Sequence, residues 1–280
     1  MKDLENIVGD IYKVVDSGAD IDKEDMDYFL NTMRDELTSF LSKKDRGNTY
    51  KPTIRMSNIG KLNRKMWYDF HTDKKDDLKP TDRIKFFYGH MLEAFVLFLC
   101  RISGHDVRDY QKEVELEGVK GHIDAIIDDV VVDVKSASSY SFSKFDRGYL
   151  FENDPFGYIS QISGYAEALN MEKGAFLAID KQYGKLALLP IEDSDMIDAS
   201  RRIRELKTIV DSDEIPERCY NEVIEDNGNR SLCTDCGWCE YKYDCWSHTN
   251  NGAGLRAFKY QRNVKYLTHV EKEPRVEEIL

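Results

Sequence analysis

The stretch GHIDAIIDDVVVDVKSAS, residues 121–138, constrains the fold most, because two aliphatic runs are joined by a turn-like Asp-Asp pair. Such runs predict two buried strands of a hairpin. Polar residues interrupt both: Asp124 lies in the first run, and Asp133 and Lys135 lie in the second. Side chains alternate across a strand, so Asp133 and Lys135 share one face. A buried carboxylate is costly unless it is paired or binds a metal, so the stretch predicts an ion pair or a metal site.

Periodicity along the rest of the chain predicts an α/β protein. We predict helices at 3–16, 22–43, 55–71 (with Ser57 as a possible cap), 81–102, 155–170 and 193–211, strands at 111–117, 120–127, 130–136, 175–180 and 185–191, loops at 43–52 and 137–154, and a polar tail at 250–280. A three-strand meander between helices, followed by further strands, predicts a mixed sheet flanked by helices.

Charge and composition limit the class of protein. The formal charge is −12, from 40 basic and 52 acidic residues, which argues against broad non-specific binding of nucleic acid but leaves room for a local basic groove or a metal site. No apolar run approaches a membrane span, and the acidic start MKDLENIVGD does not resemble a signal peptide. We therefore expect a cytoplasmic protein without a membrane partner.

A third carboxylate accompanies the hairpin. Glu93 lies in the strongly apolar predicted helix 81–102, where periodicity alone does not decide whether it faces solvent or the sheet. Together, Glu93, Asp124 and Asp133 would form a hard oxygen site suited to Mg²⁺ or Mn²⁺, with Lys135 beside it. Such a site would activate water and offset charge on a phosphate, so phosphodiester hydrolysis is the natural reaction.

Four of the six cysteines fall within the segment SLCTDCGWCEYKYDCWSH, residues 231–248. In a cytosolic protein such clustering predicts a metal or cluster site. Cys233, Cys236, Cys239 and Cys245 could hold a [4Fe–4S] cluster. Alternatively, the pairs Cys233-x2-Cys236 and Cys245-x2-His248 suit tetrahedral zinc. We interpret the two remaining cysteines, Cys100 and Cys219, as structural.

The hairpin residues resemble the signature of the PD-(D/E)xK nucleases, with GHID in place of the literal PD. Gln161 and Tyr165, four residues apart on a predicted helix, are similar to the QxxxY motif of the RecB-type branch. The resemblance implies a restriction-endonuclease-like core, a catalytic Lys135, and contact of Gln161 and Tyr165 with the substrate strand. It also implies that the Val134 carbonyl joins Asp124 and Asp133 as a metal ligand.

The same resemblance implies a helix-borne metal ligand. The spacing G-x-x-x-E from Gly89 favours Glu93 over the adjacent His90.

The spacing Cys236-x2-Cys239-x5-Cys245 is similar to the C-terminal triplet of iron–sulfur nucleases. These include AddB-type helicase-nucleases and the four-cysteine exonucleases associated with CRISPR adaptation. The resemblance implies a [4Fe–4S] cluster that supports the nuclease core without taking part in cleavage. The upstream cysteine of that pattern is missing, since Leu62 stands at its position, and Cys233 is our candidate replacement. Zinc therefore stays open.

Basic and aromatic residues alternate in two segments. Arg64 precedes Trp67 and Tyr68, while Lys144 and Arg147 lie among the aromatic residues of the predicted loop 137–154. Basic groups neutralise phosphates and aromatic faces stack on unpaired bases, so we predict that Arg64, Lys144 and Arg147 bind substrate. An ordinary solvated loop with some core aromatics is the alternative.

These features predict a divalent-metal-dependent DNA exonuclease acting on single strands or DNA ends. Its parts would be an N-terminal helical extension (1–46), a nuclease core (47–215) and a cysteine-rich module with a tail (216–280). The alternatives are a structure-specific endonuclease and a non-catalytic nucleic-acid-binding protein. Because no helicase motif is seen, we expect a helicase, recombinase or single-strand-binding partner. The resemblance implies recombination, repair or DNA degradation in a prokaryote or phage, in the latter case within the host cytoplasm.

Overall fold

The computed structural model describes residues 2–42, 52–72 and 79–279. Within them the α-helices are α1 (Ile7–Ser17), α2 (Lys23–Leu41), α3 (Asn63–His71), α4 (Pro80–Ile102), α5 (Ser139–Asp146), α6 (Tyr158–Leu169), α7 (Ala199–Val210), α8 (Thr234–Trp238) and α9 (Lys242–Cys245). The strands are β1 (Val107–Arg108), β2 (Glu113–Leu116), β3 (Val119–His122), β4 (Ala125–Ile127), β5 (Val130–Ala137), β6 (Gly174–Asp180), β7 (Leu186–Ile191), β8 (Val223–Ile224), β9 (Arg230–Ser231), β10 (Arg256–Lys259) and β11 (Val264–His269).

The chain forms two compact units. The first comprises the described residues of 1–61 and 73–208, and the second those of 62–72 and 209–280. The predicted division of the chain by function, into parts 1–46, 47–215 and 216–280, stays a prediction. The predicted loop 43–52 lies, apart from its last residue, outside the described residues. None of the described helices combines the length and hydropathy that a membrane span requires.

A five-stranded mixed sheet, in the order β1-β4-β5-β6-β7, forms the centre of the first unit. Strands β5 and β6 are parallel and the other neighbours are antiparallel, which confirms the predicted mixed sheet flanked by helices. Strand β5 is central, and its Asp133 lies opposite Phe176 of β6.

The two faces of this sheet differ in chemistry. Val132 and Val134 belong to a buried apolar cluster together with residues of α1 and α4. The opposite face carries Asp133, Lys135 and Phe176, and there the ring centroid of Phe145 in α5 lies 5.7 Å from that of Phe176. The alternation of polar and apolar residues in β5 therefore produces one apolar face and one face with a polar pair beside aromatic rings.

The predicted strand 120–127 is divided in the structure. Strand β3 pairs with β2 in a separate hairpin, whereas β4 pairs with β5 in the main sheet. The division falls at a bend that contains Asp124, so this residue lies between two strands and not within one. The predicted strand 111–117 likewise begins only at Glu113, because Gln111 lies in a turn with a positive φ of 50°.

The predicted helix 55–71 is wrong in its first half. Ser57 lies within a short 3-10 turn, Met56–Asn58, and α3 begins only at Asn63. Gly60 packs so closely on Gly157 that a Cβ at position 60 would lie 2.3 Å from the Gly157 Cα. Arg202 also takes up the carbonyls of the intervening turn, donating to those of Ile59 (3.0 Å) and Lys61 (2.6 Å).

The predicted loop 137–154 is also wrong, since it contains α5. The Ser138 side chain accepts a hydrogen bond from the Ser141 amide and caps this helix, while Phe142 and Phe145 are buried at helical spacing. Two predicted helices begin later than expected: the one at 155–170 at Tyr158, after Gly157 with a left-handed φ of 74°, and the one at 193–211 at Ala199.

The second unit contains a four-stranded antiparallel sheet in the order β10-β11-β9-β8. The segment 250–280, which we predicted as a polar tail, supplies β10 and β11. Burial of Ala257, Phe258 and Leu267 explains why it is ordered despite its polar composition. In the same unit, α3 packs its Trp67 and Tyr68 against Tyr241.

Candidate active site

The candidate site begins with a buried ion pair on β5. Asp133 is 1% exposed, and its Oδ2 lies 2.6 Å from the Nζ of Lys135, whose side chain is 19% exposed. A carboxylate oxygen can accept more than one donor, and Lys135 is the one charged partner that Asp133 has among the described residues. The carboxylate therefore retains capacity to accept a further donor or a cation.

The bend between β3 and β4 places Asp124 beside this pair. Strand β4 pairs with β5 only as far as Ala125 opposite Val132, so the Val134 amide lies beyond the end of its neighbour. Asp124 Oδ2 accepts the hydrogen bond from that amide, at 2.7 Å. The N–H and C=O of one residue in a strand point to the same side, so the Val134 carbonyl faces the same gap.

Helix α4 supplies Glu93. Gly89, one turn earlier, lies beside Ser136 of β5, so this part of α4 runs along the end of the strand. Glu93 Oε1 accepts a hydrogen bond from Gln111 Nε2 at 2.6 Å, and the same nitrogen lies 3.5 Å from Asp124 Oδ1. Gln111 thus joins two of the three predicted carboxylate ligands.

Burial and mutual repulsion raise the pKa values of two of these carboxylates. The pKa of Glu93 is raised from its ordinary 4.5 to about 7, chiefly by burial and further by the charge of Asp133, although the Gln111 hydrogen bond opposes the shift. Burial and the charges of Asp133 and Glu93 also raise the pKa of Asp124 well above its ordinary value. The site therefore holds more carboxylates than its one lysine can neutralise.

Helix α6 orients the lysine. Lys135 Nζ donates to Gln161 Oε1 at 3.2 Å, and Gln161 Nε2 donates to the Tyr165 hydroxyl at 3.1 Å. The same Nζ lies 4.6 Å from the ring centroid of Tyr158. Burial opposes the charge of Lys135, but Asp133 and Asp124 outweigh it and keep its pKa above the ordinary value. The ammonium group is thus charged and fixed on several sides.

The donor set suits a hard cation in its chemistry. Three carboxylates and one main-chain carbonyl of β5 are oxygen donors of the kind that Mg²⁺ and Mn²⁺ prefer. In the described parts of the chain, however, no group of three or more His, Cys, Asp or Glu side chains is arranged as a metal site. Glu93, Asp124 and Asp133 are therefore neighbours that a cation would have to draw together.

The remaining predicted substrate-binding residues lie in different places. Lys144 projects from α5 and donates to the Asn153 carbonyl at 3.0 Å, and Arg147, just after α5, is exposed. Arg64 belongs to the second unit, where it donates to the Pro216 carbonyl at 2.7 Å. His90 is exposed, with its Nδ1 3.8 Å from a Glu36 carboxylate oxygen.

The cysteines of the second unit lie near one another, and Cys219 is among them. Arg218 contacts the Cys245 carbonyl (3.5 Å) and lies over the Trp246 ring (3.8 Å), so the neighbouring Cys219 lies close to the cysteine segment. The pKa of the Cys219 thiol is raised, mainly by burial and in part by the thiols of Cys245 and Cys239.

Cys236 is close to Cys233. The pKa of the Cys236 thiol is raised by burial first and then by Cys233, Cys239 and Cys245. Cys219, which we interpreted as structural from the sequence, is thus a neighbour of the clustered cysteines.

Sequence reasoning also missed Gln111 and Tyr158. Gln111 was hidden within a predicted strand, and nothing in its sequence context indicated that it reaches Glu93. Tyr158 lies three residues before Gln161, so the helical spacing of α6 could have placed it on the same face.

No protein-family model and no curated protein sequence matches this chain. Several solved structures are similar to it, including the following three. SSO0001 has 17% identity and a TM-score of 0.42, over 75% of this chain and 92% of that chain. The alkaline exonuclease LHK-Exo from Laribacter hongkongensis has 16% identity and a TM-score of 0.34, over 55% and 86%. A phage related exonuclease from Haemophilus somnus 129PT has 16% identity and a TM-score of 0.41, over 58% and 95%.

Proposed function

We propose that this chain is a divalent-metal-dependent nuclease that hydrolyses phosphodiester bonds in single-stranded DNA or at DNA ends. One observation carries the proposal: Asp124, Asp133 and Lys135 lie together beside the first residue of β4. Gln111 joins Glu93 to this group, and Gln161 contacts Lys135. A purely structural ion pair would not need the two further carboxylates, whose burial is unfavourable.

The residues divide the work. Bound Mg²⁺ or Mn²⁺ would polarise a phosphoryl oxygen and lower the pKa of a water molecule. Glu93, Asp124, Asp133 and the Val134 carbonyl would hold that ion. Lys135, oriented by Asp133 and Gln161, would offset the negative charge that grows on the phosphate as water adds to phosphorus and the P–O bond breaks. Tyr165 would position Gln161 through the hydrogen bond between them.

Cleavage of end-labelled DNA tests this function. We expect wild type to degrade linear single strands with Mg²⁺ or Mn²⁺ and not in EDTA, whereas Asp133→Asn and Lys135→Met lower the rate at least about 100-fold. Asp193→Asn, at an exposed site, is the control and should retain activity. Cutting of circular single strands would point to an endonuclease. If the wild type and all variants bind DNA and none of them cleaves it, the non-catalytic alternative is favoured.

Metal binding is measured independently of cleavage. Mn²⁺ should raise the melting temperature of the wild-type protein, because an ion that binds only the folded state stabilises it. The rise should be largely lost in Asp133→Asn and retained in Asp193→Asn. An equal rise in all three proteins would place the ion elsewhere.

We further propose that the cysteines of the second unit bind a metal centre, either [4Fe–4S] or zinc. The support is chemical: five cysteines that form no disulfide lie in one region, namely Cys219, Cys233, Cys236, Cys239 and Cys245. The visible spectrum of anaerobically purified protein separates the two, since absorbance near about 400 nm is expected of an iron–sulfur centre and not of zinc. We also propose that the protein acts in recombination, repair or DNA degradation. Its partner would be a helicase, a recombinase or a single-strand-binding protein.

A further inference from the structure

A cavity of about 240 Å³ opens beside the catalytic candidate Lys135 in the first unit. It is bounded by the end of β5, by α5, and by the segment that leads into α6. Its lining includes Lys144, Lys181 and Phe156, of which only Lys144 was among the predicted substrate-binding residues. The cavity is smaller than the roughly 300–1,000 Å³ typical of drug-sized ligands, so it suits one small unit of a polymer.

The lining is basic, although the chain is acidic. It contains three lysines and no carboxylate, in a protein with a formal charge of −12. The charge of Lys135 is compensated by Asp133, but no carboxylate partner of Lys144 or Lys181 is found in the part of the chain that the structure describes. The adjacent Asp154 uses one carboxylate oxygen to accept the Ile159 amide at the start of α6. The lining itself is therefore net positive, with the Asp154 carboxylate next to it.

An aromatic platform forms another wall. Phe156 is 61% exposed and stacks on Tyr158, with ring centroids 5.4 Å apart and an interplanar angle of 26°. Tyr158 is held in place by its contact with Lys135. An exposed ring supported from behind by a second ring is suited to stacking on a flat, unpaired base.

We propose that this cavity binds one unpaired nucleotide, with its phosphate between Lys144 and Lys181 and its base on Phe156. Lys144 can take part because its Asn153 contact uses one N–H and leaves two free. That this subsite lies on the path of a DNA strand rests on the proposed nuclease function, since Lys135 belongs to the candidate active site and also lines the cavity. Recognition of the nucleotide itself needs only the charge and the platform.

Calorimetric titration of the metal-free protein in EDTA, with thymidine 5′-monophosphate, inorganic phosphate and thymidine as separate probes, tests the subsite. We expect the nucleotide to bind at least about tenfold more tightly than either fragment, because only it engages both the lysines and the platform. Lys181→Met and Phe156→Ala should each weaken nucleotide binding about tenfold. Lys173→Met, which removes an exposed lysine paired with Glu192, is the matched control and should bind like wild type.

Each opposite result overturns the inference. Equal affinity for nucleotide and phosphate would mean that Phe156 does not contribute to binding. If Lys173→Met weakened nucleotide binding as much as Lys181→Met, the weakening would come from the change in net charge and not from a defined subsite. Both test residues are exposed, and thermal denaturation checks that the variants fold. Cleavage without nucleotide binding would refute the subsite alone, whereas nucleotide binding without metal-dependent cleavage would refute the nuclease alone.

Discussion

At the scale of single residues, the ion pair between Asp133 and Lys135 has a direct consequence for stability. Both groups lie on the polar face of a central strand, and the aspartate is almost fully buried. Burying a charge is acceptable only while its partner is present, and removing one partner is far more harmful than removing both.

Lys135→Met should therefore lower the free energy of unfolding of the metal-free protein by about 3 kcal/mol. Adding Asp133→Asn to this variant should restore part of the loss, since the buried carboxylate that the ammonium group contacts is then neutral as well. Urea denaturation of both single variants and the double variant measures the coupling. Lys173→Met, in an exposed pair, should cost no more than about 1 kcal/mol. Additive effects of the two substitutions would contradict this account.

Glu93 makes stability depend on pH. Its pKa rises from 4.5 in the ordinary state to about 7 in the folded protein, so between these values the folded state holds a proton that the unfolded chain releases. The free energy of unfolding of the metal-free protein should therefore fall as the pH rises through this window.

Denaturation midpoints measured in EDTA at several pH values between 4.5 and about 7 check this expectation. Glu93→Gln should flatten the profile, while Glu172→Gln, which removes an exposed carboxylate, serves as the control. A profile with the same slope in Glu93→Gln would assign the pH dependence to other groups.

At the scale of elements, the start of α6 depends on two glycines. A Cβ at Gly157 would lie 2.4 Å from the Gly60 Cα, and Gly157 also has a φ of 74°. The close approach of the two backbones fixes where α6 begins, and α6 in turn carries Gln161 to Lys135. Conformation and space therefore both demand glycine here.

Gly157→Ala should destabilise the protein more than Gly148→Ala. Gly148 has a nearly equal φ of 72°, but nothing lies within 4 Å of a Cβ built there. The control therefore isolates the left-handed backbone cost, about 1–2 kcal/mol, and the excess at position 157 measures the steric conflict. Thermal or urea denaturation of the two variants gives the difference. Equal losses would mean that the backbones separate at little cost.

At the scale of the whole molecule, the chain divides into a sheet-centred unit with the carboxylates and a second unit with the clustered cysteines. In the second unit, the pKa of Cys219 responds to backbone amides at the first turn of α3, beside Leu62, as well as to Cys239 and Cys245. Cys219 is therefore, beside Cys233, a second candidate for the fourth ligand of the proposed metal centre.

Cys219→Ala should lower the bound iron or zinc as strongly as Cys239→Ala does, because its thiol lies near two of the three cysteines at the x2, x5 spacing. Elemental analysis of anaerobically purified protein measures this. Cys100→Ala, in the apolar core of the first unit, should keep the full metal content. Full metal in Cys219→Ala together with loss in Cys233→Ala would return the fourth position to Cys233.

The sequence by itself determined the local features of this protein. Alternation in β5 predicted which residues share the face of Asp133, and the spacing of Gln161 and Tyr165 predicted their common helix face, because period depends only on backbone geometry. The mixed sheet also followed from the order of elements.

Only the tertiary structure decided where strands end and which side chains meet across them. The break at Asp124 and the reach of Gln111 to Glu93 both depend on contacts between residues that are not neighbours in the chain. Local sequence carries no information about such partners. For that reason the sequence could name the candidate residues Asp124, Asp133 and Lys135, whereas the contacts between them and the presence of Gln111 beside them required the structure.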